Sequence, residues 1–232
     1  MLFRSLKAAW GYAAVIETGG TTLLFDTGGD GPTLMSNLRV LGLDPRAFDA
    51  VVLSHNHADH TGGLEAVVSA NANHRLAVYA PSAFSAPIKA RLGKRARVIE
   101  VGGSARIAEH LQIIGNLGGT IAEQALAVQA GAGLAVVTGC AHPGIVAVVR
   151  RALSLGDVRM IAGGFHLKDK GQSELETIIA SLKQLGVRRV APSHCTGDQA
   201  IRMLEEAFGP GFVQAGVGAT ISLSDPPVTP QP

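Results

Sequence analysis

The chain has 232 residues, 47% of them hydrophobic and 16% charged, with a net charge of +2. That near-neutral balance, with no run of Lys or Arg longer than two and no apolar stretch of membrane-spanning length, excludes a nucleic-acid surface and a membrane partner. Two cysteines are too few for a disulfide framework and no secretory leader is visible, so the expectation is a cytoplasmic protein with one domain over residues 1–224 and a frayed, proline-rich tail over 225–232.

Residues 12–17 and 21–25 are short apolar runs around Thr18-Gly19-Gly20, a β-hairpin pattern. The second run ends at Asp26, before a glycine-rich turn. Asp26 is either a turn former or an acceptor for a nearby imidazole or backbone N–H. Residues 32–43 have helical spacing with Pro32 at the start.

Next comes the densest chemistry of the chain. The apolar run Ala50-Val51-Val52-Leu53 leads into Ser54-His55-Asn56-His57-Ala58-Asp59-His60-Thr61-Gly62-Gly63, and a helical pattern follows. Three histidines and an aspartate within six positions at a strand end are hard to satisfy without a cation. Neutral imidazole nitrogen and carboxylate oxygen are donors for a zinc-like ion.

A strand is predicted over 76–80, a short helix over 82–93 interrupted by Pro87, and strands over 97–101 and 111–114. Residues 102–119 otherwise carry little pattern, and His74 and His110 read as ordinary surface or hydrogen-bonded histidines. Strands over 123–129 and 134–138 flank a glycine turn.

From here one arrangement recurs: apolar strand, ligand-type residue, helix. It brings Cys140 and His142 before a helix over 145–155, and His166 after a strand over 158–162. It then brings His194 and Cys195 after a strand over 189–191 and before a helix over 198–208. A helix over 174–185 lies between, and closing strands are expected over 213–215 and 220–223. Strand ends that share one edge can gather such residues into one site.

The loop from Ser54 to Leu64, of form HxHxDH, resembles the signature of the metallo-β-lactamase superfamily. The segments FDTG at Phe25, EQAL at Glu123, GCAHPGI at Gly139, GGFHL at Gly163 and SHCTG at Ser193 resemble one branch of it, the dihydropterin–ribofuranosylaminobenzene phosphate synthase group. The resemblance implies an α/β, four-layer αββα sandwich. It implies two divalent ions, zinc first, with iron, manganese or nickel also suited to imidazole-rich sites. His55, His57 and His142 would hold one ion, and Asp59, His60 and His194 the other, with Asp59 also assigned a catalytic part.

Where hydrolytic members carry a bridging aspartate this chain has Cys140, which is a ligand, a neighbour of one, or a small buried residue. His166 is either a histidine satisfied by backbone or, with Lys168, the group that contacts an anion or protonates a leaving oxygen. Thr196-Gly197 and Pro143-Gly144 open helices whose free N–H groups suit a phosphate. The implied activity is hydrolysis of a small molecule, phosphorylated or ester-bearing, by metal-activated hydroxide. The alternatives are transfer of a pterin diphosphate to an arylamine, and a metal-holding sensor without turnover. A short N-terminal edge strand offers pairing to a second copy, hence a homodimer.

Overall fold

The computed structural model describes residues 5–71, 76–115 and 117–223. His74 and the tail over 225–232 lie outside them. Two sheets face each other. The first has the order β1 (Ala14–Thr18), β2 (Thr21–Phe25), β3 (Ala50–Val52), β4 (Ala77–Pro81) and β5 (Arg97–Val101). Here β1 and β2 form the expected hairpin, and β2 to β5 run parallel. The second has β11 (Arg189–Ser193), β10 (Val158–Gly164), β9 (Gly133–Thr138), β8 (Ala125–Ala130), β7 (Leu111–Ile114) and β6 (Ala105–Ala108). Strands β9, β10 and β11 are parallel, and the rest of that sheet is antiparallel.

The alternation of side chains along each strand builds the layers. Leu23, Phe25, Ala50 and Val52 point inward, against Leu126, Val128, Ala135, Val137 and Met160 of the other sheet. Leu24 and Val51 point outward, onto α1 (Gly31–Leu41), α3 (Leu64–Ala70) and α4 (Ser82–Leu92). On the far side, Val136 and Ile161 pack under α5 (Ile145–Ala152), α6 (Gln172–Gln184) and α7 (Asp198–Phe208). Three apolar interfaces between four layers make an αββα sandwich.

Three expectations are corrected. Helix α4 is continuous through Pro87. Pro87 and Ala83, whose carbonyl loses its helical partner, are both exposed, so the break in the ladder lies on the solvent side. The unpatterned stretch holds a strand, β6, paired antiparallel to β7. Residues 213–215 and 220–223 form no strands. The chain there bridges Phe212 to Val190 and accepts at Ser222 O from Arg189 Nη1 at 3.0 Å, while Val213, Ala215, Ile221 and Leu223 cover the edge of the inner core. Apolar spacing placed these side chains without building a ladder.

The signature loop contains one helical turn, α2 (Ala58–Thr61), which carries Asp59 and His60. It is stitched to the turn after β2. Thr27 donates to the His60 carbonyl through both N–H (2.7 Å) and hydroxyl (3.0 Å), and Gly62 N–H donates to Gly28 O at 2.9 Å. No helix among the described residues is long and apolar enough to cross a membrane.

Candidate metal centre

The carboxyl ends of β2, β3, β9, β10 and β11 deliver Asp26, the signature loop, Cys140 to His142, His166 and His194 to one edge of the sandwich. Among the described residues, four non-glycine residues have positive φ: Asp26 (57°), Ala141 (59°), His166 (52°) and His194 (53°). Each follows one of these strands. Such backbone costs on the order of 1–3 kcal/mol per residue and persists only where its surroundings impose it. Here it turns the chain sharply enough to aim side chains into one space.

Two groupings of donor atoms form there, each with all its atoms within 4.8 Å of one another: His55 with His57 and His142, and Asp59 with His60 and His194. His55 Nε2 faces His57 Nδ1 at 3.0 Å, and His60 Nε2 faces His194 Nε2 at 3.1 Å. Asp59 Oδ2 is 3.3 Å from His194 Nε2. The opposite nitrogens are already engaged. His55 Nδ1 meets the Ser54 hydroxyl at 2.8 Å, His60 Nδ1 meets Asp26 at 2.7 Å, and His142 Nδ1 meets Glu123 at 2.8 Å. A set of imidazoles with outer nitrogens held and inner nitrogens converging fits divalent cations.

Asp26 is fully buried and accepts from Ser54 N–H (2.6 Å) and Ser54 hydroxyl (2.6 Å) as well as from His60. Burial raises its carboxyl, against these hydrogen bonds. Burial would lower His60, but the hydrogen bond and charge of Asp26 outweigh it and raise the imidazole.

Glu123, which opens the EQAL segment, is a participant to which sequence alone assigned no role. Its buried carboxylate accepts from Cys140 N–H (3.0 Å), Ala141 N–H (2.7 Å), His142 N–H (2.8 Å) and the His142 ring. Burial pushes it up, yet these bonds win and hold it below the usual carboxylate range. An acidic residue directly before a buried strand was the available signal.

Cys140 Sγ lies 3.3 Å from His60 Nε2. The hydrogen bond with Cys195, and then burial, push its thiol up. His166 is exposed with its ring 4.6 Å from that of His142, and it forms a further grouping with Cys140 and His142. A cleft of about 470 Å³ opens beside these two histidines. Lys170 and Arg150 line it; Lys168, expected beside His166, is exposed and not among the lining residues. Thr196 ends the short turn that carries His194. It is buried, its hydroxyl accepting from Phe165 N–H at 3.2 Å and donating to Ser193 O at 2.7 Å. On the other side Trp10, 61% exposed, stands against His194 with ring centroids 4.7 Å apart.

Two outcomes follow from this packing. A Cβ on Gly139 would lie 2.0 Å from Ser54 Oγ and 2.9 Å from Asp26 Oδ2. Gly139→Ala is therefore expected to lose about 1–3 kcal/mol, read from its denaturation midpoint, by overpacking. Acid is expected to destabilise the metal-free protein. Burial, followed by the neighbouring imidazoles, lowers His55; burial first also lowers His57, and it takes His194 from 6.5 to about 4. As pH falls through this window the unfolded chain takes up protons that the folded site refuses, so stability is lost. The raised Asp26–His60 pair opposes this with fewer groups. Thermal melts of chelated protein across the same window check the sign.

The chain is similar to several known proteins. The chain is 27% identical to the 7,8-dihydropterin-6-methyl-4-(β-D-ribofuranosyl)-aminobenzene-5'-phosphate synthase of Methanocaldococcus jannaschii, over 90% of this chain and 87% of that one. It superposes on the crystal structure of Tm1679, a metal-dependent hydrolase of the β-lactamase superfamily, with TM-score 0.69 and 26% identity over 90% of this chain and 94% of that one. The metallo-β-lactamase fold protein YhfI of Bacillus subtilis, at 16% identity and TM-score 0.67 over 90% and 91%, shares the fold. The sequence model of the metallo-β-lactamase superfamily matches residues 11–194, a span that includes every histidine and carboxylate of the two donor groupings. The chain belongs to the metallo-β-lactamase superfamily.

Proposed function

We propose that this chain is a metal-dependent hydrolase of a small phosphorylated or ester-bearing molecule. The observation that carries the reading is the pair of donor groupings, whose inner nitrogens converge while Ser54, Asp26 and Glu123 hold the outer ones. His55, His57 and His142 would hold one divalent cation, and Asp59, His60 and His194 a second. Bound there, such ions supply Lewis-acid polarisation of a phosphoryl or carbonyl oxygen and lower the pKa of water.

The protein's own groups do the rest. Asp26 and Glu123 fix the proton of His60 and His142 on Nδ1, so each presents Nε2 inward. Asp59 places a negative charge beside His194. His166, exposed at the mouth of the cleft, is positioned to give a proton to a departing oxygen, while Arg150 and Lys170 favour an anionic substituent.

A second reading is a synthase, favoured by the relative from Methanocaldococcus jannaschii. Parallel assays separate the two: metal-loaded protein with a generic phosphodiester and a carboxylic ester, and with a pterin diphosphate plus an arylamine. Hydrolysis that disappears with chelation supports the first reading. Coupling without hydrolysis replaces it by the second. Tight metal uptake with turnover in neither assay marks a metal-holding protein. His166→Ala is expected to keep its metal and lose about 10²–10⁴-fold in turnover, the range for general acid–base groups; loss of metal would make it a ligand.

A further inference from the structure

We infer that the ring of Trp10 is a stacking platform that receives a planar aromatic group of the substrate beside the scissile bond. This rests on the hydrolase reading above and names its substrate class, an aryl or heteroaryl ester of phosphate or of a carboxylic acid. Trp10 is the single tryptophan of the chain and, at 61%, the most exposed large apolar side chain among the described residues. It stands at the Asp59–His60–His194 end of the metal centre, where its ring leans on that of His194 with centroids 4.7 Å apart and planes tilted by 44°. Tyr12 lines the same end, its ring 6.4 Å from those of His60 and His194. The cleft that holds Arg150 and Lys170 opens at the other end, beside His142 and His166. A ring on Trp10 and an anionic group toward the cleft place the bond between them at the cation positions.

The backbone fixes the ring in this place. Gly11 has a φ of 136°, and a Cβ on it would lie 2.5 Å from Asp59 O and 2.7 Å from Gly29 N, so only glycine lets the chain press this close to the signature loop. Tyr12 N–H donates to Asp59 O at 3.1 Å, and Tyr12 O accepts from Gly28 N–H at 2.8 Å. Trp10 O is packed on Gly29, where a Cβ would come within 2.8 Å of it. The chain around Trp10 is thus pinned both to the turn after β2 and to the helical turn that carries Asp59. A ring kept only to shield His194 would gain by turning further into the fold, because apolar surface left in water forfeits hydrophobic stabilisation. Trp10 instead keeps more than half of its surface in water. An indole held this way loses little freedom on binding, and its π face attracts a second ring in offset or tilted geometry.

The test compares phenyl phosphate with cyclohexyl phosphate, which matches it in size and charge but has no planar ring. With no other tryptophan in the chain, the intrinsic emission of the metal-loaded protein reports Trp10 alone. Phenyl phosphate should change that emission and bind about 2–10-fold more tightly than cyclohexyl phosphate, the ratio that an aromatic pair supplies. By calorimetry Trp10→Leu, which keeps apolar bulk, should bind the two phosphates equally, and Trp10→Phe should restore the preference. Circular dichroism and metal content check that the variants fold and stay loaded, and the wild-type ratio decides even if they do not. Equal affinities in the wild type overturn the inference, as does a preference that survives Trp10→Leu. Emission that shifts with protein concentration in the absence of either phosphate shows the ring covered by a second copy and also overturns it. Binding of neither phosphate overturns it too. Binding decides this point whether or not either phosphate is turned over, so failure of the platform and failure of the hydrolase reading are told apart.

Discussion

Glu123→Ala is expected to be the most damaging single substitution outside the metal-facing side chains. One buried carboxylate answers three consecutive backbone N–H groups and the His142 ring. Truncation leaves four donors without their acceptor, three of them backbone N–H groups on the residues that follow the buried end of β9. A buried donor stripped of its partner costs about 1–3 kcal/mol, and breaking a buried charged network typically 3–5 kcal/mol, so the loss should reach the upper end. The same carboxylate accepts from Ala141 N–H, at positive φ, so without it the strand end is expected to relax and His142 to leave the His55–His57 grouping. The denaturation midpoint should fall and metal content with it. Glu123→Gln keeps one acceptor oxygen and should lie between the two. An alanine variant that melts and binds metal as the wild type does would contradict this role.

Asp26→Asn is expected to spare the fold more and the site hardly less. The substitution keeps the shape but replaces one acceptor oxygen by an NH₂ group. One side of Asp26 accepts from Ser54 N–H, the other from Ser54 hydroxyl and His60 Nδ1, so either amide orientation sets donor against donor. Facing His60, the amide drives the proton from Nδ1 to Nε2, the nitrogen that faces His194. A ligand imidazole in the wrong tautomer binds poorly, and loss of such an outer partner typically costs 10–100-fold in metal affinity. Competition against a chromophoric chelator measures that ratio, with an expected melting shift worth about 1–3 kcal/mol. Unchanged affinity would mean that Asp26 serves only the turn after β2.

Much of this arrangement was readable from the chain itself. His55, His57, Asp59 and His60 lie within one loop, so spacing alone brings them together. The alternation of apolar strands with amphipathic helices gave the layers. Cys140, His142, His166 and His194 were legible one by one as residues at strand ends. Their convergence depended on the parallel order of β9, β10 and β11. Glu123 was not legible because its partners lie 17–19 residues away across a hairpin whose register decides the contact. Lys170 lines the cleft beside His166, which residue spacing did not foresee, and the positive φ of His166 is equally invisible to composition. Sequence reads Thr196 only as opening the helix over 198–208, and the bond its hydroxyl accepts from Phe165 N–H, just after β10, was not foreseen. Strand β6 hid among glycines, and the segments after Phe212 carried strand-like spacing but meet the edge strand β11 only at Val190 without forming a ladder.

The most direct test of the metal centre is elemental analysis of the purified full chain by mass spectrometry, paired with melting before and after chelation. The expected result is about two transition-metal ions per chain, the number a two-metal hydrolytic site requires, and a lower melting temperature once they are removed. A folded protein that carries no transition metal, takes none up on reconstitution and melts identically with and without chelator would contradict the account.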